Sequence, residues 1–188
     1  MITKTIIDEY LLVAKVLFEK NFLNMGIGSI SLKLQKDKML INKQNKHIYE
    51  DDFYKSVHIL KSDLSWKETS YDIKTHSKIY ETISSTKAVA NVFPIHTITF
   101  SLEHHTFLKP IDFLGKKVLK KIPIIEITNQ IEWEENKEFI ISKKLKENDI
   151  VIIKGYGVYI KTRDIREILK KAVILENSAK ILLNSYQH

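Results

Sequence analysis

The run Ile150-Val151-Ile152-Ile153, followed by Lys154-Gly155-Tyr156-Gly157 and then Val158-Tyr159-Ile160, constrains this chain more than any other segment. Four consecutive β-branched aliphatic residues read as a strand buried on both faces, two glycines one residue apart as a tight corner, and the next residues as a returning strand. Thr162-Arg163-Asp164 then opens a long amphipathic helix predicted over 164–184. A corner held between two strands presents one side chain rigidly at the mouth of a site, and here that side chain is Tyr156.

The remaining elements alternate without a regular βαβ rhythm. Thr5 and Asp8 have capping-box spacing, and Ile7, Leu11, Ala14, Phe18 and Phe22 keep a helical period that predicts a first helix running to Asn24. Residues 29–34 alternate, turn at Lys36-Asp37-Lys38 and return through Met39-Leu40-Ile41, which predicts a hairpin with one buried face. A short strand is expected over 57–60 and a helix over 72–84, with Ile73, His76, Ile79, Tyr80 and Ile83 on one stripe. A buried strand over 88–93 is stopped by Pro94, a short helix follows His96, and a strand over 122–127 and a helix over 134–146 lead into the closing segment. The pattern predicts an α/β fold, a three-layer α/β/α sandwich around a central, mainly antiparallel sheet, in a single domain spanning 1–188.

Composition narrows the chemistry. The 188 residues, 44% hydrophobic, suffice for one sizeable core. No apolar run is long enough to cross a bilayer, and Met1-Ile2-Thr3-Lys4 lacks the order of a secretory signal, so a cytoplasmic protein with no membrane partner is expected. With no cysteine there is no disulfide, thiolate metal site or Cys nucleophile. A net charge of +7 raises a polyanion partner, yet the only arginines are Arg163 and Arg166, and acidic residues are interspersed with the lysines, as in Lys144-Leu145-Lys146-Glu147. A solvated lysine-rich surface is therefore favoured over nucleic-acid binding. Glycine-rich phosphate loops and Gly-x-Ser-x-Gly elbows are absent.

Five segments in order carry a resemblance: Gly28-Ser29-Ile30-Ser31, Tyr49-Glu50-Asp51-Asp52-Phe53, Ser70-Tyr71-Asp72 with His76, Phe93-Pro94-Ile95-His96-Thr97, and Lys154-Gly155-Tyr156-Gly157-Val158-Tyr159. They resemble motifs of the class II aldolase and adducin family, most of all its methylthioribulose-phosphate dehydratase branch. The resemblance implies the family's α/β fold and a cyclic homotetramer with each cleft at a subunit boundary. It also implies a zinc held by three histidines, which polarises a substrate carbonyl. In this register the first ligand position is Pro94, the second His96 and the third Tyr156, so only His96 remains as a metal ligand and no cofactor is expected. Zinc or another divalent metal enters only if the protein is an enzyme.

The catalytic position falls on Asp72, one methylene shorter than the family's Glu, with Tyr156 as a second acid/base group; an Asp at a helix start is equally well explained as a cap. The substrate-phosphate cradle falls on Ser29, on Gln44 with Asn45, and on Ser70 with Tyr71, so Ser29, Asn45 and Ser70 are the candidate binding residues for a small phosphorylated or anionic ligand, with Lys43 or Lys46 adding charge. Asp72, His76 and His96 form a candidate two-His, one-carboxylate alternative, whereas the His104-His105 pair diverges and His47, His58 and His188 lack supporting ligands. Three functions stay open: a metal-free binding protein with a degenerate zinc site, a divergent lyase (aldolase or dehydratase) acting on a phosphorylated keto-sugar, and a lysine-driven polyanion binder.

Overall fold

The computed structural model describes residues 4–62, 64–103 and 106–185. His104, His105 and His188 lie outside the described residues. Helix α1 (Lys4–Glu19) leads to the hairpin β1 (Ser29–Lys33) and β2 (Lys38–Asn42), then β3 (Tyr54–His58) and α2 (Ile73–Thr82). Strand β4 (Ala88–Val92) and α3 (Ile95–Leu102) follow, then the short β5 (Phe107–Leu108) and α4 (Phe113–Val118). The chain closes with β6 (Ile122–Ile125), α5 (Gln130–Glu147), β7 (Ile150–Ile153), β8 (Gly157–Thr162) and α6 (Ile165–Ser185).

The strands form one eight-stranded sheet in the order β3-β2-β1-β4-β8-β7-β6-β5. All neighbours are antiparallel except β6 and β7, which the crossover helix α5 makes parallel. Because side chains alternate along a strand, the sheet feeds two separate cores. Ile30, Leu40, Ala90 and Ile160 pack with Tyr10, Leu17 and Leu175 from α1 and α6. Met39, Ile41, Val89 and Val151 pack with Ile79 of α2 and Ile141 and Leu145 of α5.

Several boundaries depart from the periodic reading, each for a local reason. Thr5 lies inside α1 and so is not its cap. The first helix stops at Glu19, where Asn21 takes a left-handed φ of 59° and the N–H groups of Phe22 and Leu23 return to the Leu17 carbonyl at 2.8 and 3.3 Å. The apolar period continues past that end because Phe22 and Leu23 are buried by the turn itself. Helix α5 begins before Glu134, since the side chain of Asn129 accepts from the N–H groups of Ile131 and Glu132. Strand β5 and helix α4 were not legible: one is two residues long, the other six.

The predicted single buried face of the β1–β2 hairpin is corrected. Ser29 and Ser31, on the polar phase of the alternation, are both fully buried. They face α2 rather than solvent, and their hydroxyls contact His76. This exception to polar-out alternation locates the site.

Candidate functional site

Antiparallel pairing sets Ser29 opposite Asn91 and Asn91 opposite Tyr159, so one polar row crosses β1, β4 and β8. All three side chains converge on Asp72 at the start of α2. The Ser29 hydroxyl and the Asn91 amide donate to Oδ2 at 3.0 and 2.8 Å, and the Tyr159 hydroxyl donates to Oδ1 at 2.8 Å. Asp72 occupies the helix N-cap position but makes no side-chain cap bond, so the capping explanation fails. Its carboxylate is turned toward the sheet, 8% exposed, at the floor of an open cleft of about 340 Å³.

The network continues inward from Ser29. His76 Nε2 lies 2.8 Å from the Ser29 hydroxyl, His76 Nδ1 lies 2.6 Å from Ser31 Oγ, and Ser31 Oγ lies 2.9 Å from the Tyr80 hydroxyl. A carboxylate only accepts, so Ser29 donates to Asp72 and His76 Nε2–H to Ser29; in the neutral ring Nδ1 then accepts from Ser31, and the Tyr80 hydroxyl lies between Ser31 Oγ at 2.9 Å and the Lys87 carbonyl at 3.4 Å. Burial lowers the imidazole pKa to about 4, against the opposing pull of Asp72. His76 is therefore neutral, with both ring nitrogens occupied.

Tyr156 stands at the corner between β7 and β8. Gly155, at φ 67°, supplies the left-handed turn, and the Tyr156 N–H closes it onto the Ile153 carbonyl at 3.0 Å. The phenol faces the Asp72 cleft, its ring 5.4 Å from that of Phe93 in an edge-to-face arrangement. Burial first, and the charge of Asp72 second, push its pKa up to about 12, with Asn91 opposing. At neutral pH this group is a phenol and not a phenolate.

His96 is placed elsewhere. It lines a different cleft, against α6, where its Nδ1 bonds Glu176 Oε1 at 2.7 Å. The same carboxylate accepts the backbone N–H of His96 at 2.9 Å and, on Oε2, the N–H and hydroxyl of Thr97 at 3.0 and 3.1 Å. Glu176 thus caps α3 from a neighbouring helix. Asp72, His76 and His96 do not assemble as one metal group, and among the described residues no three or more His, Cys, Asp or Glu side chains are grouped to hold a metal.

The side chains that do meet Tyr156 and Asp72 are Asn91 and Phe93. They are two residues apart at the end of β4, the spacing of the first two histidines in the motif His-Thr-His. The structure brings Asn91 to Asp72 and Phe93 to Tyr156, and places His96 against Glu176 instead. The zinc implied by the resemblance does not fit this set. Phe93 offers no donor, Asn91 a neutral amide and Tyr156 a protonated phenol, while Asp72 already accepts three hydrogen bonds.

The expected anion cradle is also occupied from within. Ser29 is fully buried, its hydroxyl between Asp72 and His76. Ser70 Oγ accepts the Asp72 N–H at 3.3 Å. Gln44 bridges the remaining two segments: its Nε2 donates to the Gly26 carbonyl at 3.0 Å and its Oε1 accepts the Tyr71 N–H at 2.8 Å. Asn45 is exposed and does not line the cleft, and Tyr71 is exposed at its rim. Lys43 pairs with Asp52, and Lys46 with Glu50 and Asp52.

Asn91 and Tyr159 were not among the residues expected at the site. Asn91 left one signal, a lone amide within the otherwise apolar run Ala88-Val89-Ala90-Asn91-Val92. Tyr159 ends the fifth motif segment, but a tyrosine in a buried strand is ordinary and did not mark it as a site residue.

The model of the class II aldolase and adducin N-terminal domain matches residues 9–183. The fold is similar to that of L-fuculose-1-phosphate aldolase from Thermus thermophilus, with a TM-score of 0.85 and 19% identity over 96% of this chain and 95% of that one. It is similar to a sugar-phosphate aldolase from Thermotoga maritima, with a TM-score of 0.72 and 20% identity over 96% and 94% of the two chains. The N-terminal class II aldolase domain of a conserved protein from Thermoplasma acidophilum follows at 0.64 and 13% identity, over 97% and 96%. No curated protein sequence matches. At such identities the solved structures establish likeness of fold, and the family model over nearly the whole length establishes the conclusion: the chain belongs to the class II aldolase and adducin family.

Proposed function

We propose that this chain is a metal-free, non-catalytic member of its family whose cleft above Asp72 binds a small ligand. The observation that carries the reading is the set of side chains around Asp72 and Tyr156: an amide, a benzyl group and a protonated phenol where the family resemblance implies three imidazoles. The carboxylate at the catalytic position supports it further, because three protein donors hold it against the sheet. The aldolase activities named for the structural neighbours are not carried over. Adducin, in the same family, is the precedent for a domain of this kind kept as a scaffold.

A cyclic homotetramer and the methylthioribulose-phosphate dehydratase branch belong to the same proposal on the resemblance alone; a single domain over 1–188 and the three-layer arrangement belong to it on the sequence pattern. The enzyme alternative draws on one observation, that Asp72 and Tyr156 share a cleft in which both could touch a substrate. The polyanion alternative is weakened by the number of lysines already paired with carboxylates, among them Lys78, Lys137, Lys154, Lys161 and Lys171.

The test is elemental analysis of protein purified without chelators, combined with lyase and dehydratase assays on phosphorylated keto-sugars. The expected result is no stoichiometric divalent metal and no turnover. Bound metal at one equivalent, accompanied by turnover, would overturn the proposal.

A further inference from the structure

The cleft above Asp72 has a charge character opposite to that of a phosphate site. Of its described lining residues only Asp72 carries a formal charge. The backbone N–H of Tyr71, at the place of an anion cradle, is occupied by Gln44, and the two lysines on the same loop are paired with carboxylates. An anion entering here would meet a carboxylate with no free cation among the lining residues.

What the floor offers instead is a hydrogen-bond acceptor. Asp72 Oδ1 accepts from Tyr159 among the described residues and has lone pairs left. Asn91, fully buried and outside the cleft lining, backs this carboxylate with its amide nitrogen. The walls are aromatic: Phe93 and Tyr156 in edge-to-face contact, and the exposed Tyr71 at the rim. Aromatic faces around an acceptor floor suit an organic cation, which gains from the ring quadrupoles as well as from the carboxylate.

Resting on the metal-free reading of this same site, we infer that the cleft is a receptor for a small primary ammonium group on an apolar stem. The ammonium donates to Asp72 Oδ1, and the stem lies against Phe93 and Tyr156. The ligand class has thus reversed in charge from the phosphorylated sugars that the family motifs imply.

The experiment is a titration of the 15N-labelled full chain with n-butylammonium chloride, sodium n-butyrate and inorganic phosphate, each at the same ionic strength. The expected result is saturable shifts with n-butylammonium at the amides of Gly155 and Gly157 and the side-chain amide of Asn91, and none there with the two anions. Asp72→Asn is expected to weaken n-butylammonium binding at least about tenfold. Should that variant fail to fold, Phe93→Leu keeps an apolar side chain and removes one aromatic face, with an expected loss of roughly threefold or more. Butyrate or phosphate shifting these groups, n-butylammonium leaving them unmoved, or unchanged affinity in the folded variants would overturn the inference. Metal-free protein that ignores n-butylammonium refutes only this inference. Metal-loaded protein that turns over sugar phosphates refutes the proposed function, whatever the amine does.

Discussion

The buried imidazole of His76 makes a signed prediction about stability and pH. Its pKa is lowered to about 4 in the folded protein by burial, against 6.5 when unfolded. Below pH 6.5 the unfolded chain takes up a proton that the folded chain refuses, so the unfolded state binds more protons and stability falls as pH falls. The contribution is fully present above the unfolded pKa and lost progressively down to the folded value. At about 1.36 kcal/mol per unit, the window spans about 3 kcal/mol, of which roughly 2 kcal/mol falls between about pH 7 and about pH 4.5. For a domain of this length that corresponds to a melting temperature lower by roughly 5–10 °C.

The control is His76→Gln, which keeps an amide between Ser29 and Ser31 and does not titrate. Urea unfolding of both proteins across the window isolates the histidine as a difference in slope, because the carboxylates common to both cancel. The wild type should lose roughly 2 kcal/mol more than the variant. Parallel pH profiles would mean that His76 is protonated in the folded state, and the neutral Nε2–H assignment of the buried row would be refuted.

Three further outcomes follow from the site. Asp72→Ala leaves the donors of Ser29, Asn91 and Tyr159 facing an empty acceptor position, and urea unfolding should register a loss of about 3 kcal/mol or more; a loss below about 1 kcal/mol would show that these contacts are not made. Glu176→Gln removes the charge from a cap that accepts from His96 and Thr97, with an expected cost of about 1–2 kcal/mol and faster hydrogen exchange at those two amides of α3 than in the wild type. The triple variant Asn91→His, Phe93→His, Tyr156→His should take up one equivalent of zinc in equilibrium dialysis, whereas Pro94→His with Tyr156→His should not; the opposite result would favour the register through Pro94 and His96.

The five motif segments and the strand periodicities were enough to read the family fold, since hydrophobic alternation and helical spacing are local properties of the chain. The resemblance singled out Asp72 and the glycine corner singled out Tyr156, and the two line one cleft. Neither reading located Asn91, Phe93 or Tyr159. Phe93 and His96 lie at the same strand-to-helix junction, three residues apart, and local pattern does not say which faces the cleft.

Composition and pattern by themselves determined the α/β elements, the absence of thiol chemistry and the presence of a polar helix start and of a glycine turn. Tertiary structure alone decided what those residues do. Cross-strand register brings Ser29, Asn91 and Tyr159 into one row, although they lie far apart along the chain. The carboxylate of Glu176, 80 residues from His96, turns that imidazole toward α6 and away from the cleft. Register and helix packing are long-range consequences of burying two faces of one sheet, and no window of sequence contains them.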